Sequence, residues 1–443
     1  MTAPGTLLEP MPLQDQPPAS RWRLSTRIAF RFCFVYFGLY CLGTQILAGL
    51  IPFTDLEVPD PSTKWPVRQI VTWVAVHVFH VKTELVYFSG SGDKTFDWVF
   101  AFCLLIFSML VTIIWSAADR ERLEYITLYK WFRVFLRLCL AGQMFGYGID
   151  KAVPLQMPFP YLTRLLEPFG NFSPMGVLWS SIGAAPAYEM FAGCAEVLAG
   201  ILLIFPRTAM LGTLICLADM VQVFMLNMAY DVPVKLFSFH LILISLILLA
   251  PDLRRLVNFF LLDRSATPST QPALFADVRR NRIAVTAQIV FGLLLLGANI
   301  YGARIAWQQY GGGRIRSALY GIWNITGMTV DGQERPPLMS DNGRWRRAIF
   351  ELPARMSFQL MDDSLARYNT RIDVKQNTIT FTKDADQNWK ADFVFQRPTP
   401  DRLILDGEMD KHKVHMQLDL VDTQKFLLVS RGFHWIQEYP FNR

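Results

Sequence analysis

The chain has 443 residues and a net charge of +6, and it is 52% hydrophobic but only 18% charged. A charged share below the usual ~25% excludes a wholly water-soluble fold, and base set beside apolar runs points to a membrane surface rather than nucleic acid. The six cysteines (Cys33, Cys41, Cys103, Cys139, Cys194 and Cys216) form no Cys-x-x-Cys pair, which excludes a thiolate zinc site and a disulfide framework.

Residues 1–25 are expected as a disordered tail. Pro4, Pro10, Pro12, Pro17 and Pro18 break any helix there, and no apolar core follows a basic start, so this is not a cleavable signal peptide. A membrane domain is expected over 26–305. A spanning helix needs about 20 mostly apolar residues. That predicts spans at Phe32–Phe53, Trp98–Trp115, Ala187–Phe205, Thr208–Met228, Val232–Ala250 and Ile283–Gly302. A seventh, Val134–Ile149, is shorter and carries Arg137 and Gln143; the charge bias requires it. With the N-terminus in the cytoplasm, Arg23, Arg27, Arg122, Arg133, Arg207 and Arg280 all fall inside, as basic loops prefer. The expected protein is therefore multi-pass in the cell membrane, and an odd span count puts its C-terminal part outside the cytoplasm.

Two stretches look interfacial. Pro66–Phe88 is apolar but interrupted by Arg68, His77, His80, Lys82 and Glu84. His77, His80 and Glu84 would share a helical face, yet their spacing matches no metal motif, and no metal is expected. Residues 152–186 hold Pro154, Pro158, Pro160, Pro168, Pro174 and Pro186. Such a stretch reads as short helices capping the outer side of the bundle, because broken backbone cannot face lipid. Asp252–Leu262 reads as an amphipathic surface helix.

After a flexible joint at Gly311–Gly313, residues 314–443 change to a period of two. Runs at 344–351, 355–361, 367–373, 377–382, 389–396, 401–407, 412–420 and 425–429 are separated by turn residues. Eight or nine strands at this spacing predict a soluble, all-β antiparallel domain, and a closed barrel leaves no exposed edge. Trp323, Trp345, Trp389 and Trp435 are expected in its core. The aromatic tail 431–443 is expected to pack on the barrel or the helices.

Within the helical part, Lys151 sits beside Asp150 at the outer end of the third span. A desolvated lysine can serve as a base near neutral pH; a lysine at a helix end also snorkels or pairs. Glu196 and Asp219 lie mid-span, where carboxylates are costly and are functional or paired. Gln222 and Asn227 extend the stripe from Asp219, Arg137 would pair with Glu196 or Asp219, and His240 would join the same polar interior. A catalytic site and a buried structural network both fit this set.

The order Arg137, Gly148-Ile149-Asp150-Lys151, a proline-rich segment, Glu196-Val197-Leu198-Ala199-Gly200 and the Phe205-Pro206-Arg207 turn resembles the DoxX family of small four-helix membrane proteins, over about 134–251. The same region is similar to the membrane core of the vitamin K-dependent γ-carboxylases and their bacterial relatives. The counterparts are Gly148-Ile149-Asp150-Lys151, Phe172-Ser173-Pro174, Gly193 with Gly200, and Phe237-Ser238-Phe239. That resemblance implies a lysine base, here Lys151, that deprotonates a reduced quinone. Tyr147 replaces the family's alanine, and no long luminal substrate region is present. Leu319-Tyr320-Gly321-Ile322-Trp323 resembles the Gly-x-Trp first strand of lipocalin-type barrels. Two functions follow as expectations. One is a quinone-linked redox or carboxylase-like enzyme with Lys151, Asp150, Glu196 and Asp219 around a ring-sized cavity, its electron carrier supplied by a ligand or membrane redox partner. The other is a non-catalytic anchor with a filled bundle, presenting a barrel that binds lipid or protein.

Overall fold

The computed structural model describes residues 21–51, 60–265, 268, 271–341, 343–384, 386 and 389–442. Residues 1–20 of the tail expected over 1–25, and the end of the first expected span at Phe53, lie outside these residues; the last of the expected tail, Leu24 and Ser25, already belongs to the first helix. Helices run α1 Leu24–Gly43, α2 Gln45–Ala48, α3 Val67–His77, α4 Thr95–Ala118, α5 Ile126–Ala152, α6 Pro174–Gly183, α7 Pro186–Ile204, α8 Ala209–Ala229, α9 Lys235–Leu249, α10 Leu253–Phe260 and α11 Val278–Gln309. Five helical stretches are long and apolar enough to cross a membrane: α4, α7, α8, the α9–α10 run and α11. The protein is thus a membrane protein. The remaining long helices, α1 and α5, carry Arg27 and Arg31, and Lys130, Arg133, Arg137 and Lys151.

Helix α5 is the axis of the bundle and packs against α1, α2, α7, α9 and α11. It is 27 residues long, well beyond the expected Val134–Ile149. Its polar residues are screened from lipid by its neighbours, which explains why it has the weakest hydropathy. Glycines bring α7 against it: a Cβ on Gly193 would lie 2.2 Å from the Ala152 backbone nitrogen, and one on Gly148 would lie 2.9 Å from the Glu196 Cβ. At the basic end, Arg31 is 1% exposed and donates to the Tyr125 hydroxyl, the Ser116 hydroxyl and the Asp119 carbonyl. This stitches α1 to the α4–α5 connection.

One expectation about the outer segments changes. Helix α3 stops at His77, and His80 adopts a left-handed φ of 54°. His77, His80 and Glu84 therefore share no helical face, and no cluster able to hold a metal occurs among the described residues. All six cysteines are free. Residues 153–185 form loops and α6, as the prolines dictate.

The C-terminal domain is a closed, eight-stranded antiparallel barrel. Its strands are β1 Gly321–Val330, β3 Trp345–Leu352, β4 Arg355–Leu360, β5 Leu365–Asp373, β6 Thr378–Thr382, β7 Lys390–Thr399, β8 Arg402–Met409 and β9 His412–Leu420; β2, Gln333–Glu334, is a short hairpin partner of β1. Strand β1 closes the barrel on β9, pairing Trp323 with Leu420 and Met328 with Met416. Alternation decides the faces: Ala391, Phe393 and Phe395 of β7 point in, and the residues between them point out. The interior is filled. Trp345 stacks on Phe358 at 3.6 Å, and Phe358 meets Phe381 at 5.4 Å.

Residues 425–429, expected as a strand, instead continue into the short helix α12, Leu427–Ser430. Trp435 is 88% exposed rather than in the core, and Phe433 and Tyr439 are equally open. The tail does not pack, because the closed barrel leaves neither an edge to pair with nor a core position to fill. The glycine joint is not loose either. Trp307 of α11 lies across it, and a Cβ on Gly312 would come within 2.4 Å of the indole Cη2. The Gly313 amide donates to the Trp307 carbonyl at 3.1 Å.

The barrel sits on the proline-rich cap. Leu162 of the cap packs with Ile322 and Ile349 of the barrel. Glu351 of β3 accepts from the Leu162 amide and pairs with Arg314, both at 3.2 Å. The cap and barrel also enclose a cleft of about 1010 Å³.

Candidate functional site

Beneath the cap, the last turns of α5, the first half of α7 and the second half of α8 converge on a chamber of about 110 Å³. Lys151 enters from α5, Glu189 and Glu196 from α7 and Asp219 from α8; Trp179 of α6 lies on its roof side. The Lys151 amine donates to Glu196 Oε1, and Glu196 is 1% exposed. Glu189 is fully buried; its Oε1 accepts from the Met157 amide of the cap at 2.9 Å. Glu196 and Asp219 are close enough to interact electrostatically.

One ammonium thus faces three carboxyl groups. Each carboxyl keeps one buried oxygen, Glu189 Oε2, Glu196 Oε2 and Asp219 Oδ2, without a hydrogen-bond partner among the described residues. Buried acceptors left unpaired are costly, and several like charges in one apolar site repel strongly. The arrangement can therefore take up protons, or hold a small hydrogen-bond donor. The volume falls short of the ~150 Å³ that encloses benzene. The chamber by itself is smaller than the ring-sized cavity expected of an enzyme, and the barrel core is packed.

The other expected residues are distributed differently. Gln222 and Asn227 line the chamber; Gln222 donates to the Tyr188 hydroxyl at 3.4 Å and Asn227 to the Ser238 hydroxyl at 3.1 Å. Asp150 precedes Lys151 in sequence but is exposed and does not line the chamber, since adjacent helical residues point about 100° apart. Arg137 meets neither Glu196 nor Asp219. It lies 14 residues, ~21 Å, down α5 and donates to Gln288 of α11. His240 turns to α1, where its ring stacks on Tyr40 at 3.8 Å and its Nε2 lies 2.9 Å from the Tyr36 hydroxyl. Glu189 was not expected. Its signal was a repeat: Glu189 with Gly193 and Glu196 with Gly200 are the same Glu-x-x-x-Gly unit, seven residues apart on one helix face.

No family model matches the chain. Over 124 residues, it is 36% identical to the "Uncharacterized protein YwoB" of Bacillus subtilis (strain 168), a stretch covering 28% of this chain and 79% of that relative. No solved structure matches it.

Proposed function

We propose, for a chain that belongs to the family of the uncharacterised Bacillus subtilis protein YwoB, a proton-transfer role at a membrane-embedded acid–amine site. In this reading the chain is a DoxX-like, seven-span protein of the cell membrane, with α1 and α5 as the two less apolar spans. The N-terminus is cytoplasmic, and the barrel stands outside with the Lys151 chamber. The substrate is a quinone-type molecule of the lipid phase, reduced elsewhere. The observation that carries the reading is the convergence of Lys151 with Glu189, Glu196 and Asp219, three of whose oxygens lack partners.

An ammonium has no lone pair to accept a proton. Lys151 becomes a base only once its proton has passed to Glu196, and the hydrogen bond between them supplies the route. The freed amine then takes a proton from a substrate hydroxyl. The chamber admits that hydroxyl and a ring edge, while the bulk of the ring and its tail remain outside in the bilayer.

The competing reading is an anchor, favoured by the fixed seat of the barrel on the cap. Lipid extraction of the purified full chain, followed by mass spectrometry, separates the two. Quinone is expected with the wild type and to fall about tenfold in Lys151→Met, the size of one charged hydrogen bond. Quinone that is absent, or unchanged by the substitution, leaves the anchor.

A further inference from the structure

At the end of the bundle away from the barrel, a second cleft of about 380 Å³ opens between α5, the α7–α8 turn, α10 and the start of α11. Its size falls within the ~300–1,000 Å³ typical of small-molecule sites. Lys130, Arg133 and Arg137 follow one another at i, i+3 and i+7, so a single face of α5 lines the cleft with three cations. Arg207 of the turn and Arg255 of α10 add two more. Asp252 is the one carboxylate in the lining. It is 2% exposed, accepts from Arg255 at 2.6 Å and lies 4.0 Å from Arg133.

Charge is therefore far from balanced. Arg137 is 3% exposed, and its Nε and that of Arg133 are buried with no acceptor among the described residues. Guanidinium N–H groups in that state call for an anion, and their fork geometry matches a phosphate.

The basic cleft runs into an apolar trough of about 570 Å³ between α1, α5 and α9. Phe30, Phe132 and Ile247 line the trough, and Tyr129, Gln271 and Pro272 line both spaces. At the junction the Tyr129 hydroxyl donates to Gln271 at 2.9 Å. A free phosphate would fill only the basic half. A phosphate joined to an acyl chain fills both.

We propose that this end of the bundle is a specific site for an anionic phospholipid. Its phosphate is held by Arg133 and Arg137, and one acyl chain lies in the trough. Basic pockets between membrane helices recognise such headgroups by the same chemistry. The site is separate from the Lys151 chamber and does not depend on what that chamber does.

The test uses the purified full chain equilibrated with equal amounts of phosphatidylglycerol and phosphatidylcholine, then stripped by detergent exchange. Native mass spectrometry counts what stays bound. Phosphatidylglycerol is expected to be retained about tenfold over phosphatidylcholine, the effect of one charged hydrogen bond or more. Arg133→Gln and Ala29→Trp, which fills the trough, should each bring the ratio towards one. Arg207→Gln, at an exposed turn where folding is not at stake, should lower it part of the way. Equal retention of the two lipids by the wild type overturns the proposal. So does displacement of phosphatidylglycerol by millimolar inorganic phosphate with no effect of Ala29→Trp, which identifies the occupant as free phosphate.

Discussion

The Lys151–Glu196 pair is the residue whose loss the bundle should feel most. Removing one partner of a buried pair leaves an uncompensated charge, at a cost of about 3–5 kcal/mol. Lys151→Met is therefore expected to lower the thermal midpoint of the detergent-solubilised protein sharply. Lys151→Met combined with Glu196→Leu should recover most of that loss; a double variant no better than the single one would show that the two groups do not act on each other. Lys151, Glu196 and Asp219 were legible because a charge inside an apolar run stands out in any sequence. Glu189 was not, because it falls in the first turn of α7, where an acidic residue is ordinary. Asp150 and His240 were misplaced for a geometric reason. Proximity in sequence does not fix the side of a helix, and Phe237, Ser238 and Leu241 take the chamber face of α9 while His240 takes the other.

At the scale of elements, the spacing of α5 and α7 positions Lys151 against Glu189 and Glu196. Gly193 makes that spacing possible. Gly193→Ala would set a methyl 2.2 Å from the Ala152 nitrogen and 2.5 Å from the Gly148 carbonyl oxygen, and backbone cannot step aside as a side chain does. A loss of about 1–3 kcal/mol is expected. Gly38 of α1 is the control: nothing lies within 4 Å of its added Cβ, so Gly38→Ala should be neutral or stabilise by up to ~1 kcal/mol. Thermal unfolding of the two variants side by side decides the matter, and equal effects would count against the tight α5–α7 seam. The existence of α7 was readable from hydropathy and that of α5 from the charge bias, but the helix ends were not. Helix α11 continues to Gln309 and α5 begins at Ile126, because helices persist into the interface where polar residues replace apolar ones. The end of α3 depends on a left-handed His80 that no pattern announces.

Across the whole molecule, the seat of the barrel on the cap turns on Glu351. Burial raises its pKa above the ordinary carboxyl value, opposed by the Leu162 amide and by Arg314. The folded protein thus holds a proton that the undocked chain has released. The contribution is fully present below the usual ~4.3 and is lost as pH rises through the higher folded value. Hydrogen exchange at the Leu162 amide, corrected for the intrinsic pH effect, should show the cap loosening over that window in the wild type. Glu351→Gln should abolish the dependence, and a dependence that survives it would assign the effect to another group. The barrel itself could be read from alternation, since a period of two with regular turns leaves few other folds. Its docking could not. Leu162, Ile322 and Ile349 are far apart in sequence, and each reads as an ordinary apolar residue until the folded surfaces meet.

The indole wedged across Gly311–Gly313 gives the two halves of the molecule a mechanical relation. Helix α11 has 32 residues and is ~48 Å long, so a change in its tilt of about 5° carries its end through about 4 Å. A slack tether would absorb that displacement. A joint filled by Trp307 passes it on as leverage, so that a change in bilayer thickness arrives at the barrel as a push against its seat.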